Sequence, residues 1–166
     1  MLEFKVVNNE ELLILEDLAK AIWRECYTSL LGDEQVEYMI ENFQSKEAFL
    51  SQLDNGYEYY FLESCGNTIG YMGICQEVSR LFLSKLYLIG AQHRRGLGQK
   101  ALQKLREIAI ERNLSEIYLT VNKGNEKAIK AYERFGFVKT DDIVTDIGNG
   151  FVMDDFVYTY NICIRS

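Results

Sequence analysis

The sequence predicts an α/β fold, with a mixed, mostly antiparallel central sheet of about seven strands flanked by helices. Two observations carry that expectation. Apolar residues recur at helical spacing through much of the stretch from residue 9 to residue 53 and again in two later stretches, while seven other stretches are aromatic or β-branched runs of strand length. The chain contains no proline, and no repeat or low-complexity linker interrupts it, so residues 1–166 read as a single domain.

The elements follow in order. "EFKVV" reads as a strand. From Asn9 to about Leu31, Leu12, Leu15, Leu18, Ala19, Ile22 and Trp23 mark one face of a helix. Asp33 is placed to cap a second helix through Tyr38 and Met39, and Ser45 with Glu47, Phe49, Leu50 and Leu53 suggests a short third one. The pattern then changes to "YEYYFLES" and "TIGYMGICQEV", split by "CGN", which reads as a hairpin. "RLFLSKLYLIG" is a further strand. A helix from Leu97 to about Arg112, the strand "EIYLTV", a helix from Asn125 to Phe135 and a strand beginning "GFVKT" come next. A "GNG" turn separates that strand from the last, at about residues 155–164.

Composition excludes several classes. The net charge of −7 argues against a general nucleic-acid binder, which needs a basic face to displace counterions. It suits a cationic small partner better. No uninterrupted apolar run reaches the roughly 20 residues that span a bilayer, so no membrane partner is expected. "MLEFKVVNNE" lacks the layout of a signal peptide, and a cytoplasmic location is the expectation. Cys26, Cys65, Cys75 and Cys163 form no C-x-x-C pair and the chain has one histidine, so no metal site is expected and the thiols read as reduced.

"AQHRRGLGQKAL", residues 91–102, concentrates positive charge beside a glycine turn at the start of a helix. The first turn of a helix offers unpaired N–H groups and the positive end of its dipole, and glycines let an anion come close to the backbone. Leu97, Ala101, Leu102, Leu105, Ile108 and Ala109 form the stripe that fixes such a helix against a sheet. Phosphate capture is the chemistry this implies. "GLGQKA" formally matches the dinucleotide fingerprint, but three or four strands precede it and the next strand ends at Asn122 rather than at an acid.

A second stretch, "LTVNKGNEKAIKAYERFGF" from Leu119 to Phe137, supplies the context. Asn125, Ala128, Tyr132, Gly136 and Phe137 fall at the spacing N-x-x-A-x-x-x-Y-x-x-x-G-F, one strand after "HRRGLG". In these motifs and in the order of its elements, nearly the whole chain resembles the GNAT superfamily of N-acetyltransferases. His93 stands where the family usually has Arg or Gln.

The resemblance implies acetyl-CoA as co-substrate. The pyrophosphate would lie on the backbone of His93, Arg94, Arg95, Gly96, Leu97 and Gly98. The pantetheine arm would pair along Leu86, Tyr87 and Leu88 like an added strand, in a cleft between that strand and "EIYLTV". A backbone N–H near Leu88 would polarise the thioester carbonyl. Asn125 and Ala128 would contact the cofactor arm, and Tyr132 would protonate the departing sulfur. An amine would attack the thioester directly, with no covalent enzyme intermediate. Some family members carry a glutamate as base late on the strand after the pyrophosphate helix. Thr120 occupies that position here, which leaves Glu77, or a chain of waters, as the base.

The acceptor is expected to be a small-molecule amine, with a polyamine suggested by acidity and aromatic density. Trp23, Tyr27 and Tyr38 sit where the family builds its acceptor pocket, though packing explains them equally well. Asp154 and Asp155 read as surface charges, or as the groups that neutralise a cationic acceptor. A protein or peptide amine, a non-catalytic CoA-sensing domain and, on "GLGQKA" alone, a dinucleotide oxidoreductase are the other readings. A homodimer is compatible with the aromatic strands near the C-terminus.

Overall fold

A computed structural model of the chain describes residues 1–90 and 96–162. His93, Arg94, Arg95 and Cys163, singled out above, lie outside the described residues. The elements are β1 (Leu2–Val6), a 3₁₀ turn (Asn9–Glu11), α1 (Leu12–Leu31), α2 (Asp33–Phe43), α3 (Lys46–Asp54), β2 (Tyr57–Ser64), β3 (Asn67–Gln76), β4 (Arg80–Leu88), α4 (Leu97–Glu111), β5 (Glu116–Asn122), α5 (Glu126–Phe135), β6 (Val138–Gly148) and β7 (Phe151–Asn161). They build a seven-stranded sheet in the order β1-β2-β3-β4-β5-β7-β6. The pairs β1–β2, β2–β3, β5–β7 and β6–β7 are antiparallel, and β4–β5 is parallel. The mixed, mostly antiparallel sheet expected from the sequence is therefore present.

Several element boundaries differ from the sequence expectation, and three of the differences have a plain local reason. The first helix starts with a 3₁₀ turn, because the Asn8 side chain accepts from the Glu10 N–H while the Glu11 carboxylate accepts from the Asn8 N–H; the α-helix proper begins at Leu12. Asp33 is the first residue of α2 rather than its cap; Gly32, at φ +83°, makes the break between the two helices. The last strand begins at Phe151, four residues earlier than expected, because Phe151 pairs with Gly148 directly behind the turn, so β6 and β7 form one long hairpin.

The chain falls into two compact units. The first comprises Met1–Cys75 with the described residues from Lys85 to Leu97, and the second comprises Gln76–Ser84 with the described residues from Gly98 onward. In the first unit, Leu12, Leu15, Ala19 and Ile22 line the inner face of α1 and pack with Phe49 of α3, Tyr59 and Phe61 of β2, and Tyr71 of β3. Leu13 and Ile14, on the other face of α1, are exposed. In the second unit the buried side chains include Ala101, Leu102, Leu105 and Ala109 on α4 and Ile117, Leu119 and Val121 on β5. Their spacing is helical on α4 and alternate on β5, as the periodicity requires. Each fully buried leucine contributes about 1.5–3 kcal/mol of apolar transfer. No helix among the described residues is long and apolar enough to cross a membrane.

Candidate active site

In the second unit, β5 ends in a tight turn into α5. The Asn122 carbonyl accepts from the Asn125 N–H at 2.9 Å and the Asn122 side chain accepts from the Gly124 N–H at 2.8 Å. Asn125 then caps α5, its side chain accepting from the Ala128 N–H at 3.3 Å. Tyr132, two turns along α5, is half-buried and meets the Phe137 ring edge-on at 5.6 Å. Gly136 closes the helix at φ +120°, where its N–H donates to the Tyr132 carbonyl at 3.2 Å. A Cβ at Gly136 would come within 3.1 Å of the Tyr160 ring, so both conformation and space call for glycine. The motif spacing thus corresponds to a cap, a half-buried helix face and a glycine stop.

Glu77 is engaged. Its carboxylate accepts from Arg80 Nε at 3.0 Å and from the Tyr118 hydroxyl. The Arg80 guanidinium lies 4.0 Å above the Tyr118 ring, which also stacks on Phe82 at 4.8 Å. The hydrogen bond to Glu77 raises the Arg80 pKa. Both oxygens of the Glu77 carboxylate are thus engaged by side chains of the same unit. Thr120 is exposed on β5.

Asp154 and Asp155 are neighbours in sequence with opposite environments. Asp154 is exposed and pairs with Lys123 Nζ at 2.7 Å, the same ammonium that Asp142 binds at 2.5 Å. These two hydrogen bonds raise the Lys123 pKa. Asp155 is 8% exposed, and its Oδ1 is buried with no hydrogen-bond partner among the described residues. Burial, and secondarily the Asp154 charge, push its carboxyl up to about 6.

In the first unit, Gly96 adopts φ +73° with open space where a Cβ would stand, immediately before the buried Leu97 that anchors the start of α4. A left-handed glycine with a free approach to its backbone, at a helix start, fits an anion-binding turn. Leu86, Tyr87 and Leu88 are half-buried on β4. The Tyr87 ring packs against Trp23 at 5.6 Å, Tyr27 at 6.1 Å and Tyr71 at 5.3 Å. Trp23 and Tyr27 are 4% and 6% exposed, and Tyr38 is half-buried. Trp23 Nε1 donates to the Tyr71 hydroxyl at 3.0 Å, which donates to Gln44 Oε1 at 2.9 Å, so Trp23 has a defined packing partner and a satisfied polar atom.

Two features of the molecule were not anticipated from the sequence. Asp155 is buried, and so is Lys85 on β4, whose ammonium donates to Gln52 Oε1 at 2.8 Å and to the Tyr59 hydroxyl. Desolvation lowers the Lys85 pKa to about 7. The signal for Lys85 was present: Leu81, Leu83 and Tyr87 occupy the same parity of "RLFLSKLYLIG", so its lysine falls on a core-facing position.

Comparison with known proteins agrees with this geometry. The chain is 25% identical, over 158 residues covering 92% of its length and 96% of the relative, to a spermidine N(1)-acetyltransferase of Thermoplasma acidophilum. Among solved structures, the PaiA N-acetyltransferase of Thermoplasma acidophilum in complex with coenzyme A superposes with a TM-score of 0.81 at 22% identity, covering 98% of this chain and 99% of that one. The dodecameric spermidine N-acetyltransferase of Vibrio cholerae superposes with a TM-score of 0.67 at 18% identity, covering 96% and 93%. These structural likenesses establish the fold. The sequence profile of the acetyltransferase (GNAT) family matches residues 17–137, a span that runs from α1 through the glycine turn and the Asn125 cap to Phe137, and the chain belongs to that family.

Proposed function

We propose that residues 1–166 act as one N-acetyltransferase domain that moves an acetyl group from acetyl-CoA to a primary amine of a small cationic molecule, with a polyamine as the acceptor class. The family match carries the acetyl-CoA part of this reading. The named activity of the Thermoplasma relative and the net charge of −7 support the acceptor class.

Acetyl-CoA supplies the activated thioester; the chain's own groups supply position and proton control. Gly96, Leu97 and Gly98, with His93, Arg94 and Arg95, hold the pyrophosphate through backbone N–H groups at the start of α4. Leu86, Tyr87 and Leu88 align the pantetheine arm as an edge strand does, and the N–H near Leu88 polarises the carbonyl. Asn125 and Ala128 steady the arm at the head of α5. Tyr132 delivers a proton to the departing sulfur. A cytoplasmic location and a homodimer are compatible with this reading.

The test is calorimetric titration with acetyl-CoA, free CoA and NADH, followed by a panel of amines read by thiol release. Acetyl-CoA binding in the micromolar range, no NADH binding, and turnover of spermidine-like amines are the expected results. Turnover of an amino acid or peptide amine in preference to every polyamine would overturn the acceptor class. A Gly96→Val variant places a β-branched side chain at φ +73°, and acetyl-CoA affinity is expected to fall more than 100-fold; unchanged affinity would remove this turn from the phosphate site.

A further inference from the structure

The β5–α5 turn carries Asn125 and leads to Tyr132, and β7 runs beside it. Asn122 is paired with Asp155 in the antiparallel register, and the Lys123 N–H donates to the Asp154 carbonyl at 3.2 Å, so Asp155 is fixed against the mouth of that turn. Residues directly opposite in an antiparallel pair share a face. Thr120 pairs with Val157 and Asn122 with Asp155, which puts Asp155 on the same face as exposed Thr120, one rung further toward the turn. Phe156, by contrast, faces the other way, together with Asp154 and Asp142 and the Lys123 ammonium they share. Asp155 is therefore separated from the ion-pair cluster that its sequence neighbour belongs to.

Among the described residues it has no counter-charge at hydrogen-bond distance. From β5 it faces Asn122, from β6 it faces Ile143, and both are neutral. Asp141, paired with Val157, is the acid one rung away on β6, and Tyr118 lies two rungs back on β5. Asp154 raises its pKa and Lys123 lowers it, both through space. A carboxylate whose oxygen is buried and unpartnered is costly to the fold. A carboxylate that must accept a proton benefits from that same placement, because desolvation narrows its distance from the pKa of an alkylammonium, roughly 10.

We infer that Asp155 is the general base of this enzyme: it accepts a proton from the acceptor's ammonium group, freeing the nitrogen lone pair for attack on the thioester. The step balances. One N–H bond breaks and one O–H bond forms on Asp155, the amine nitrogen then forms the C–N bond as the C–S bond breaks, and the thiolate is protonated by Tyr132. The second proton on nitrogen is lost to solvent after attack, the Tyr132 phenolate regains one from solvent, and Asp155 returns its own to solvent. This rests on the acetyltransferase reading above and names the base that neither Thr120 nor the engaged Glu77 supplies.

The experiment compares the parent protein with Asp155→Asn, a substitution of nearly identical shape. Acetyl-CoA affinity by calorimetry, melting temperature, and kcat/KM for spermidine from pH 5.5 to 9 are measured on both. For the parent, kcat/KM is expected to rise through an inflection near pH 6 and then level. For Asp155→Asn, affinity for acetyl-CoA stays within about twofold and the melting temperature at pH 8 is retained or raised. Turnover at pH 7.5 falls about 100-fold or more, the scale of base catalysis. The inflection near pH 6 disappears, and kcat/KM follows the free-amine fraction, about tenfold per pH unit below the amine pKa. Turnover within threefold of the parent across this range overturns the inference, as does an unfolded variant or one that has lost acetyl-CoA binding, since Asp155 would then be holding the structure. A parent that binds no acetyl-CoA overturns the acetyltransferase reading itself, and the inference with it.

Discussion

Lys85 in the first unit and Asp155 in the second are both ionisable side chains taken out of water, at 7% and 8% exposure. Desolvation moves each toward its neutral form, to about 7 for the lysine and about 6 for the aspartate. Their partners differ. Lys85 donates to Gln52 and Tyr59, two neutral groups that also bond each other, and it lies 5.4 Å from the Phe49 ring. Its network is closed within the core of α3, β2 and β4. Asp155 has a buried oxygen with no such partner among the described residues. A satisfied buried polar group serves the fold, whereas an unsatisfied one is a cost that a ligand can relieve. The comparison therefore predicts that changes around Lys85 are read in stability and changes around the β5–α5 turn in turnover.

The largest effect that sharpens this contrast, beyond Asp155 itself, concerns Tyr132. Tyr132→Phe keeps the ring that meets Phe137 and removes the hydroxyl. Turnover is expected to fall about 10- to 1,000-fold, with acetyl-CoA affinity nearly unchanged and stability altered by about 1 kcal/mol or less. Equal kcat for variant and parent in a thiol-release assay would take Tyr132 out of the mechanism and blur the division.

In the first unit the corresponding hydroxyl is that of Tyr71, fully buried between Trp23 and Gln44. Burial, despite the opposing hydrogen bond from Trp23, holds its pKa well above the usual phenol range, so it stays a neutral donor and acceptor. Tyr71→Phe leaves the Trp23 N–H and the Gln44 carbonyl without that partner in the core. Two such losses are expected to cost about 2–4 kcal/mol in denaturant unfolding. A cost below about 0.5 kcal/mol would show that the pair finds replacements. The aromatic group of Trp23, Tyr27, Tyr71 and Tyr87 would then be available for a role beyond packing.

What the sequence made legible divides along the same line. Helical spacing located α1, α4 and α5 because the periodicity of a helix is local chemistry. The order of strands was readable because each has its own alternation. The fate of adjacent acids was not. "DD" at residues 154–155 looks symmetric in sequence, and only the register of β7 against β5 and β6 sends one to an ion pair and the other to a buried position on the opposite face. Lys85 depended on a helix 33 residues earlier in the chain, whose Gln52 supplies the acceptor. Glu77 stands near a strand end in the sequence, and its engagement by Arg80 and Tyr118, the latter 41 residues away, is likewise a tertiary fact.

The smallest expected effect tests whether Lys85 belongs wholly to the fold. Its folded pKa, about 7, lies below the ordinary lysine value of 10.5. Between those values the unfolded chain binds one more proton than the folded chain, so this group makes stability rise with pH through that window and fall as pH drops toward 7. Below pH 7 the folded protein carries the full cost of a buried ammonium. Lys85→Met fills a similar volume, leaves Tyr59 donating to Gln52, and removes the charge. At pH 6 the variant is expected to be more stable than the parent by about 1–3 kcal/mol. The advantage shrinks as pH rises to 9, because the parent gains what the variant lacks the group to gain. Turnover, where measured at pH 8, stays near the parent's. A stability difference that is constant from pH 6 to 9 would place the lysine's titration outside this window. A large loss of turnover at unchanged stability would move Lys85 to the chemical side of the comparison, beside Asp155.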